Sequence, residues 1–202
     1  MKLILAQGNP ESKYADTRHN VGFLIIDTFA DIHEANWQPK SKFKADCAEV
    51  TINGEKVLLA RPTTYYNATG ESARAIKDFY KLENSDILVV HDELALPFGT
   101  LRTRQDGSDA GNNGIKSLNA HIGTDYARLR VGVFNDKRSL TGDIDFVLGK
   151  FTVDEKVSLD DITKAALVIM NDFINDRLEH HTIKVLDTEQ SNHTADQNDA
   201  RD

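Results

Sequence analysis

A chain of 202 residues with 40% hydrophobic content has the length of one domain that buries roughly 70% of the surface its unfolded chain exposes. Cys47 is the sole cysteine, which excludes a disulfide framework and a thiolate zinc site and points to an intracellular compartment. The net charge of −8 counts against a nucleic-acid partner, but part of the excess sits in one segment, where Asp187, Glu189, Asp196, Asp199 and Asp202 face only Arg201.

In chain order, Leu3-Ile4-Leu5-Ala6 reads as a short buried strand, stopped by the turn residues Gly8-Asn9-Pro10. The run is too short for a signal segment or a membrane span, and no later run approaches about 18 apolar residues, so a soluble, cytoplasmic protein is expected. From Val21 the spacing of Phe23, Ile26, Phe29 and Ala30 predicts a helix, with His19 and Asn20 at its entry and Asn20 as a candidate cap. Residues 8–22 thus form a candidate active-site loop, although a plain turn followed by a surface histidine fits the same stretch. Ala45–Ile52 and Lys56–Ala60 read as strands joined by an Asn53-Gly54 type I′ hairpin turn. A helix is expected over Ser72–Tyr80, after Asn67-Ala-Thr-Gly70.

Asp86–His91 is a continuous apolar run of the kind a central strand shows, and His91-Asp92-Glu93 falls at its end. Thr100–Arg104 reads as a strand, Gly107–Gly114 as a loop and Ile115 onward as a helix. Tyr126–Phe134 alternates as a strand, Ser139–Phe151 is partly helical, and Val153–Phe173 is an amphipathic helix with Val157, Leu159, Ile162, Ala166 and Ile169 on its apolar side. The expectation is a single α/β domain over residues 1–186, with a mixed, largely parallel twisted sheet and helices on both faces, followed by a disordered acidic tail at 187–202. Ligand sites in such folds lie off the carboxyl ends of strands, where the segments holding Asn9 with His19, Asn67, Asp92 and Asn113 would converge.

Histidine, aspartate and several asparagines without a nucleophilic serine or cysteine suit general-base activation of water. A carboxylate on one imidazole nitrogen fixes the tautomer, and neutral amides suit holding a peptide main chain or stabilising an oxyanion. Two other readings stay open: a divalent metal on His91-Asp92-Glu93, which is poor in carboxylates for a hard ion, and a phosphate cradle at Gly107–Gly114, which lacks the Lys-Ser/Thr ending of a P-loop. Arg102 with Arg104, and Arg128 with Arg130, each share a strand face, and Lys116 adds a charge after the Asn loop.

Over residues 2–185 the chain resembles bacterial peptidyl-tRNA hydrolases. The motifs are Gly8-Asn9-Pro10 with Tyr14 and Thr17-Arg18-His19-Asn20-x-Gly22, Pro62-Thr-Thr-Tyr-Tyr-Asn67-x-x-Gly70, His91-Asp92-Glu93-Leu-x-Leu-Pro97-x-Gly99, Asn113-Gly114-x-Lys116-Ser117, Arg128-Leu-Arg130-Val-Gly132 and Phe146-Val147-Leu148-Gly149. The resemblance implies cleavage of the ester between a peptide and the 3′-terminal ribose of tRNA, recycling peptidyl-tRNA from stalled translation. It implies no metal or other cofactor, no membrane, no obligate protein partner and a monomer. It also implies His19 as the base, Asp92 as its orienting partner and Asn9 as a catalytic amide. Tyr14, Tyr66, Asn67, Asn112 and Asn113 would bind substrate, and Arg102, Arg104, Arg130 and Lys116 would face tRNA. The chain departs from the usual pattern at Glu11, Tyr66 (usually methionine), Asp109-Ala110 and Asn112 (usually histidine). Those departures leave one rival, a tRNA-binding module that has lost efficient catalysis.

Overall fold

The apolar runs become the middle of one sheet. The structure, a computed structural model, describes residues 1–186, and the tail expected at 187–202 lies outside the described residues. The strands are β1 (Lys2–Ala6), β2 (Gln38–Lys40), β3 (Ala45–Ile52), β4 (Glu55–Pro62), β5 (Ile87–Pro97), β6 (Thr100–Gln105), β7 (Ala127–Phe134) and β8 (Thr182–Lys184). The helices are α1 (Val21–Ile32), α2 (Thr69–Tyr80), α3 (Asn113–Ile122), α4 (Arg138–Thr141), α5 (Asp143–Leu148) and α6 (Val153–Ile174). Among the described residues the strands form one sheet in the order β2-β3-β4-β1-β5-β7-β6-β8.

Its centre, β4-β1-β5-β7, is parallel, and both flanks are antiparallel. The hairpin forms as expected, with positive φ at both Asn53 (50°) and Gly54 (85°). Alternation along β1 divides the core: Ile4 packs with Ile25 and Phe29 of α1 and Ile162 and Ile169 of α6, while Leu3 and Leu5 pack with Ile76 of α2 and Leu118 of α3. Both faces of the central strands are therefore covered, which is why they read as unbroken apolar runs.

Two local expectations change, and two short strands appear that were not expected from the sequence. β5 does not stop at His91 but continues to Pro97, because β7 supplies partners for Asp92 and Glu93 before the register shifts; Asp92 thus sits on a strand and not in a loop. The edge strands β2 and β8 are three residues each and too short to show alternation. Val157 is 76% exposed because Glu155 and Leu159, four residues apart on the opposite side of α6, face inward instead.

Gly22, in the first turn of α1, sets the position of the segment before it. A Cβ there would come within 2.7 Å of the carbonyl oxygens of Gln7, just past the end of β1, and Val90, within the neighbouring strand β5. Backbone oxygens cannot swing aside as a side chain can, so Gly22→Ala is expected to destabilise the fold by about 1–3 kcal/mol, the scale of overpacking, read from a urea midpoint. An unchanged midpoint would show that α1 does not approach the sheet this closely.

Candidate active site

The loop from Gly8 to Asn20 is held by paired amides. Asn9 N–H donates to Asn20 Oδ1 and Asn20 Nδ2 donates to Asn9 O, both at 2.9 Å. Asn20 therefore does not cap α1 with its side chain, as its position suggested, but ties the two ends of the loop together. Asn9 Oδ1 accepts from Tyr66 N–H at 2.9 Å, which joins this loop to the one after β4 and leaves Nδ2 as the donor Asn9 can offer the cleft.

Arg18, buried just before His19, anchors the loop from behind. Its guanidinium donates to Glu155 Oε2 (2.6 Å) and to the carbonyls of Lys150 (3.0 Å) and Phe146 (3.4 Å), and it stacks over the Phe146 ring. Glu155 also accepts from Asn135 and closes the capping box of α6 with Thr152.

His19 stands over Asp92. Nδ1 lies 3.1 and 3.0 Å from Asp92 Oδ1 and Oδ2, and the imidazole ring stacks on Tyr66 with centroids 3.5 Å apart. Tyr66 O–H donates to Asp92 Oδ1 at 2.6 Å and accepts from Asn112 Nδ2 at 3.0 Å. Burial works against the Asp92 carboxylate, but the His19 imidazole and the hydrogen bonds from His19 and Tyr66 outweigh it and hold the group below the usual carboxylate range. An ionised carboxylate only accepts, so Nδ1 carries the proton and Nε2 is the basic nitrogen.

These groups line one cleft of about 490 Å³, together with Tyr14, Asn67 and Asn113. The structure therefore brings Asn9, Tyr14, His19, Tyr66, Asn67, Asp92, Asn112 and Asn113 together, with Asn67 and Asn113 exposed at its surface. Sequence reasoning missed Tyr65, Arg138, Asp143 and Ile144, which also line it; Phe146-Val147-Leu148-Gly149 was a signal that the 138–149 segment belonged here. Glu11, which had no role from sequence, bridges the rim: it accepts from Tyr65 O–H at 2.6 Å and pairs with Lys13 at 2.6 Å.

A second hollow, about 190 Å³, shares Glu93 and Ala110 with the cleft and is also lined by His91, Arg104, Arg128 and Arg130. Register sets Arg102 opposite Arg130 and Arg104 opposite Arg128, so the four arginines share a face, but their surroundings differ. Arg130 is paired with Glu93 (Nε to Oε2, 2.9 Å), and Arg102 Nε donates to Thr182 Oγ1. Arg128, 4% exposed, donates to the carbonyls of Gly107 and Ser108. That loop thus turns carbonyls towards a cation there, which does not suit a phosphate cradle. Lys116 is exposed on α3. His91 lines this hollow while Asp92 lines the cleft, so strand alternation separates two of the three proposed metal donors. Cys47 is buried and its thiol is pushed up to about 12 by burial, which leaves no reactive thiolate.

The family model described as peptidyl-tRNA hydrolase matches residues 3–194. The chain belongs to the peptidyl-tRNA hydrolase family. It is similar to the peptidyl-tRNA hydrolase of Ligilactobacillus salivarius, at 41% identity over 86% of this chain and 93% of the relative. That of Pelodictyon phaeoclathratiforme is 42% identical over 89% of this chain and 95% of the relative. Among solved structures, the peptidyl-tRNA hydrolase of Acinetobacter baumannii superposes with a TM-score of 0.80 at 32% identity, over 88% of this chain and 90% of that one. Tyr66 and Asn112 touch each other, and Tyr66 also reaches Asp92.

The Arg18–Glu155 pair has side chains only 5% and 8% exposed. Removing one partner leaves a buried charge, so Arg18→Met is expected to cost about 3–5 kcal/mol in urea unfolding. Combining it with Glu155→Gln is expected to recover part of that loss; a single variant as stable as the parent would show that the pair is not desolvated.

Proposed function

We propose that the protein hydrolyses the ester joining a peptide to the 3′-terminal ribose of tRNA, with His19 as general base. The observation that carries the reading is His19 Nδ1 held on an ionised Asp92 inside a cleft walled by amides, in a chain of this family. Water gives a proton to Nε2 as its oxygen attacks the ester carbonyl carbon. The carbon–oxygen bond to the ribose then breaks, and the imidazolium returns the proton to the departing ribose oxygen. Asp92 stabilises the imidazolium between these steps. The Asn9 Nδ2 donor serves the water or the developing oxyanion, and Asn67, Asn113 and Tyr14 hold the peptide, whose main chain offers amides that a free aminoacyl group lacks.

Arg102, Arg104, Arg130 and Lys116 form the tRNA side. The second hollow adjoins the cleft, so an acceptor stem along β6 and β7 would deliver its 3′ end to His19. The pairing of Arg130 with Glu93 leaves Arg102, Arg104 and Lys116 to share the phosphate neutralisation. The protein is read as a cytoplasmic monomer acting with water alone; no helix among the described residues is long and apolar enough to cross a membrane.

His19→Ala is expected to lower kcat/KM on N-acylated aminoacyl-tRNA by roughly 100- to 10,000-fold, the range of a lost general base, with EDTA present throughout. Turnover by that variant at the parental rate would sink the mechanism, and tRNA binding without turnover by the parent would favour the binding module. Arg104→Ala is expected to weaken tRNA binding and to reduce the slope of log affinity against log salt by about one. An unchanged slope would place tRNA elsewhere.

A further inference from the structure

We propose that Tyr66 and Asn112 act as a positioning arm that aims the Asp92 carboxylate at His19, rather than as substrate contacts. The proposal rests on the reading of His19 as the base. Its polarity is dictated by one helix end. Asn112 Oδ1 accepts from Ile115 N–H at 3.0 Å in the first turn of α3, so the other end of the amide, Nδ2, must be the atom facing Tyr66. A phenol oxygen that accepts this hydrogen sends its own elsewhere, and Asp92 Oδ1 is 2.6 Å away. The chain of donors runs one way, from α3 through Asn112 and Tyr66 to Asp92, and a second donor, His19 Nδ1, arrives at the same carboxylate.

Burial and the neighbouring carboxylate push the Tyr66 phenol well above its ordinary range, so it stays a donor wherever the site works. The ring does a second job. It lies 15° from parallel to the imidazole and is 2% exposed, and Gly114 leaves room behind it that a Cβ would fill. His19 is thus restrained in two directions, by its Nδ1 bond and by the face it stacks on. With its hydroxyl engaged on both sides, Tyr66 has little polar capacity left for a peptide. The other charged groups around the site are already paired: Glu93 with Arg130, Asp143 with Arg138, and His91 Nδ1 with the Asp92 carbonyl.

The test compares Tyr66→Phe, which keeps the stacked ring and loses the hydroxyl, with Asn112→Ser, which keeps a helix cap but is too short to reach Tyr66. Both are measured by kcat and KM against pH and by the His19 Nδ1 proton resonance, assigned by its loss in His19→Ala. Tyr66→Phe is expected to lower kcat by about ten-fold, the scale of one hydrogen bond to a charged group, with KM little changed. The pH profile should change, because Asp92 loses one of the donors that hold its carboxylate below the usual range, and the Nδ1 resonance should shift. Asn112→Ser should move the same readouts less, and the double variant should be no worse than Tyr66→Phe, since Asn112 acts through the hydroxyl. A rise in KM with kcat unchanged, additive effects, or a parental profile and resonance in Tyr66→Phe would each overturn the arm. The resonance is read without turnover, so a failed reading of His19 as the base, seen as full activity in His19→Ala, is distinguishable from a failed arm.

Discussion

A carboxylate that is 2% exposed stays ionised only when donors surround it, and Asp92 is such a group at the meeting point of the protein's loops. Its own strand supplies no side-chain donor to it. The donors come from His19, 73 residues earlier, and Tyr66, 26 residues earlier, so two separate connections must close over the middle of β5. The parallel centre of the sheet makes that closure cheap: β1, β4 and β5 all deliver the chain to the same edge. The amide exchange between Asn9 and Asn20 and the Asn9–Tyr66 bond then fix the two loops to each other before either meets substrate.

Much of this was legible in the sequence because it follows from local rules. Unbroken apolar runs marked β1 and β5, Asn53-Gly54 marked the hairpin, and the family motifs gathered the cleft residues. The rest depends on partners far along the chain. Asn20 has the composition and place of a helix cap, yet its amide goes to the backbone of Asn9, which no local pattern reveals. Arg128 and Arg130 share spacing and face, but the 107–114 loop folds over the first and leaves the second beside Glu93. Period two sets the direction of a side chain; what covers it is decided elsewhere. The extension of β5 through Asp92 is of the same kind, since only the presence of β7 determines where that strand ends.

The buried Arg18 shows how stability and site geometry are joined. It belongs to the loop that carries His19, and its partner Glu155 belongs to the cap of the longest helix. One carboxylate therefore starts α6, neutralises Arg18 and receives Asn135, so the back of the active loop is fastened to the C-terminal part of the domain. Carbonyls of Phe146 and Lys150 complete the guanidinium, which draws the 146–155 segment against the loop. The cleft wall that includes Val147 is held both by this arginine next to the proposed base and by the packing of Phe146 and Val147 into the core.

The rim repeats the principle at the surface with weaker means. Glu11 receives Tyr65 and Lys13, and with Lys13 over the Tyr14 ring these four residues link the two loops that flank the cleft mouth. Exposed ion pairs of this sort contribute little to stability because water competes for both partners. What they supply is a bias in where exposed side chains rest. The interior arm of Tyr66 and Asn112 works under the opposite condition: away from water each unmade bond is costly, so donor and acceptor have to match. The loop after β4 is thus tied to the Gly8–Asn20 loop at the exposed rim, through Tyr65 and Glu11, and again in the buried base, through the bond from Tyr66 N–H to Asn9, while its Tyr66 hydroxyl reaches Asn112 in a third loop.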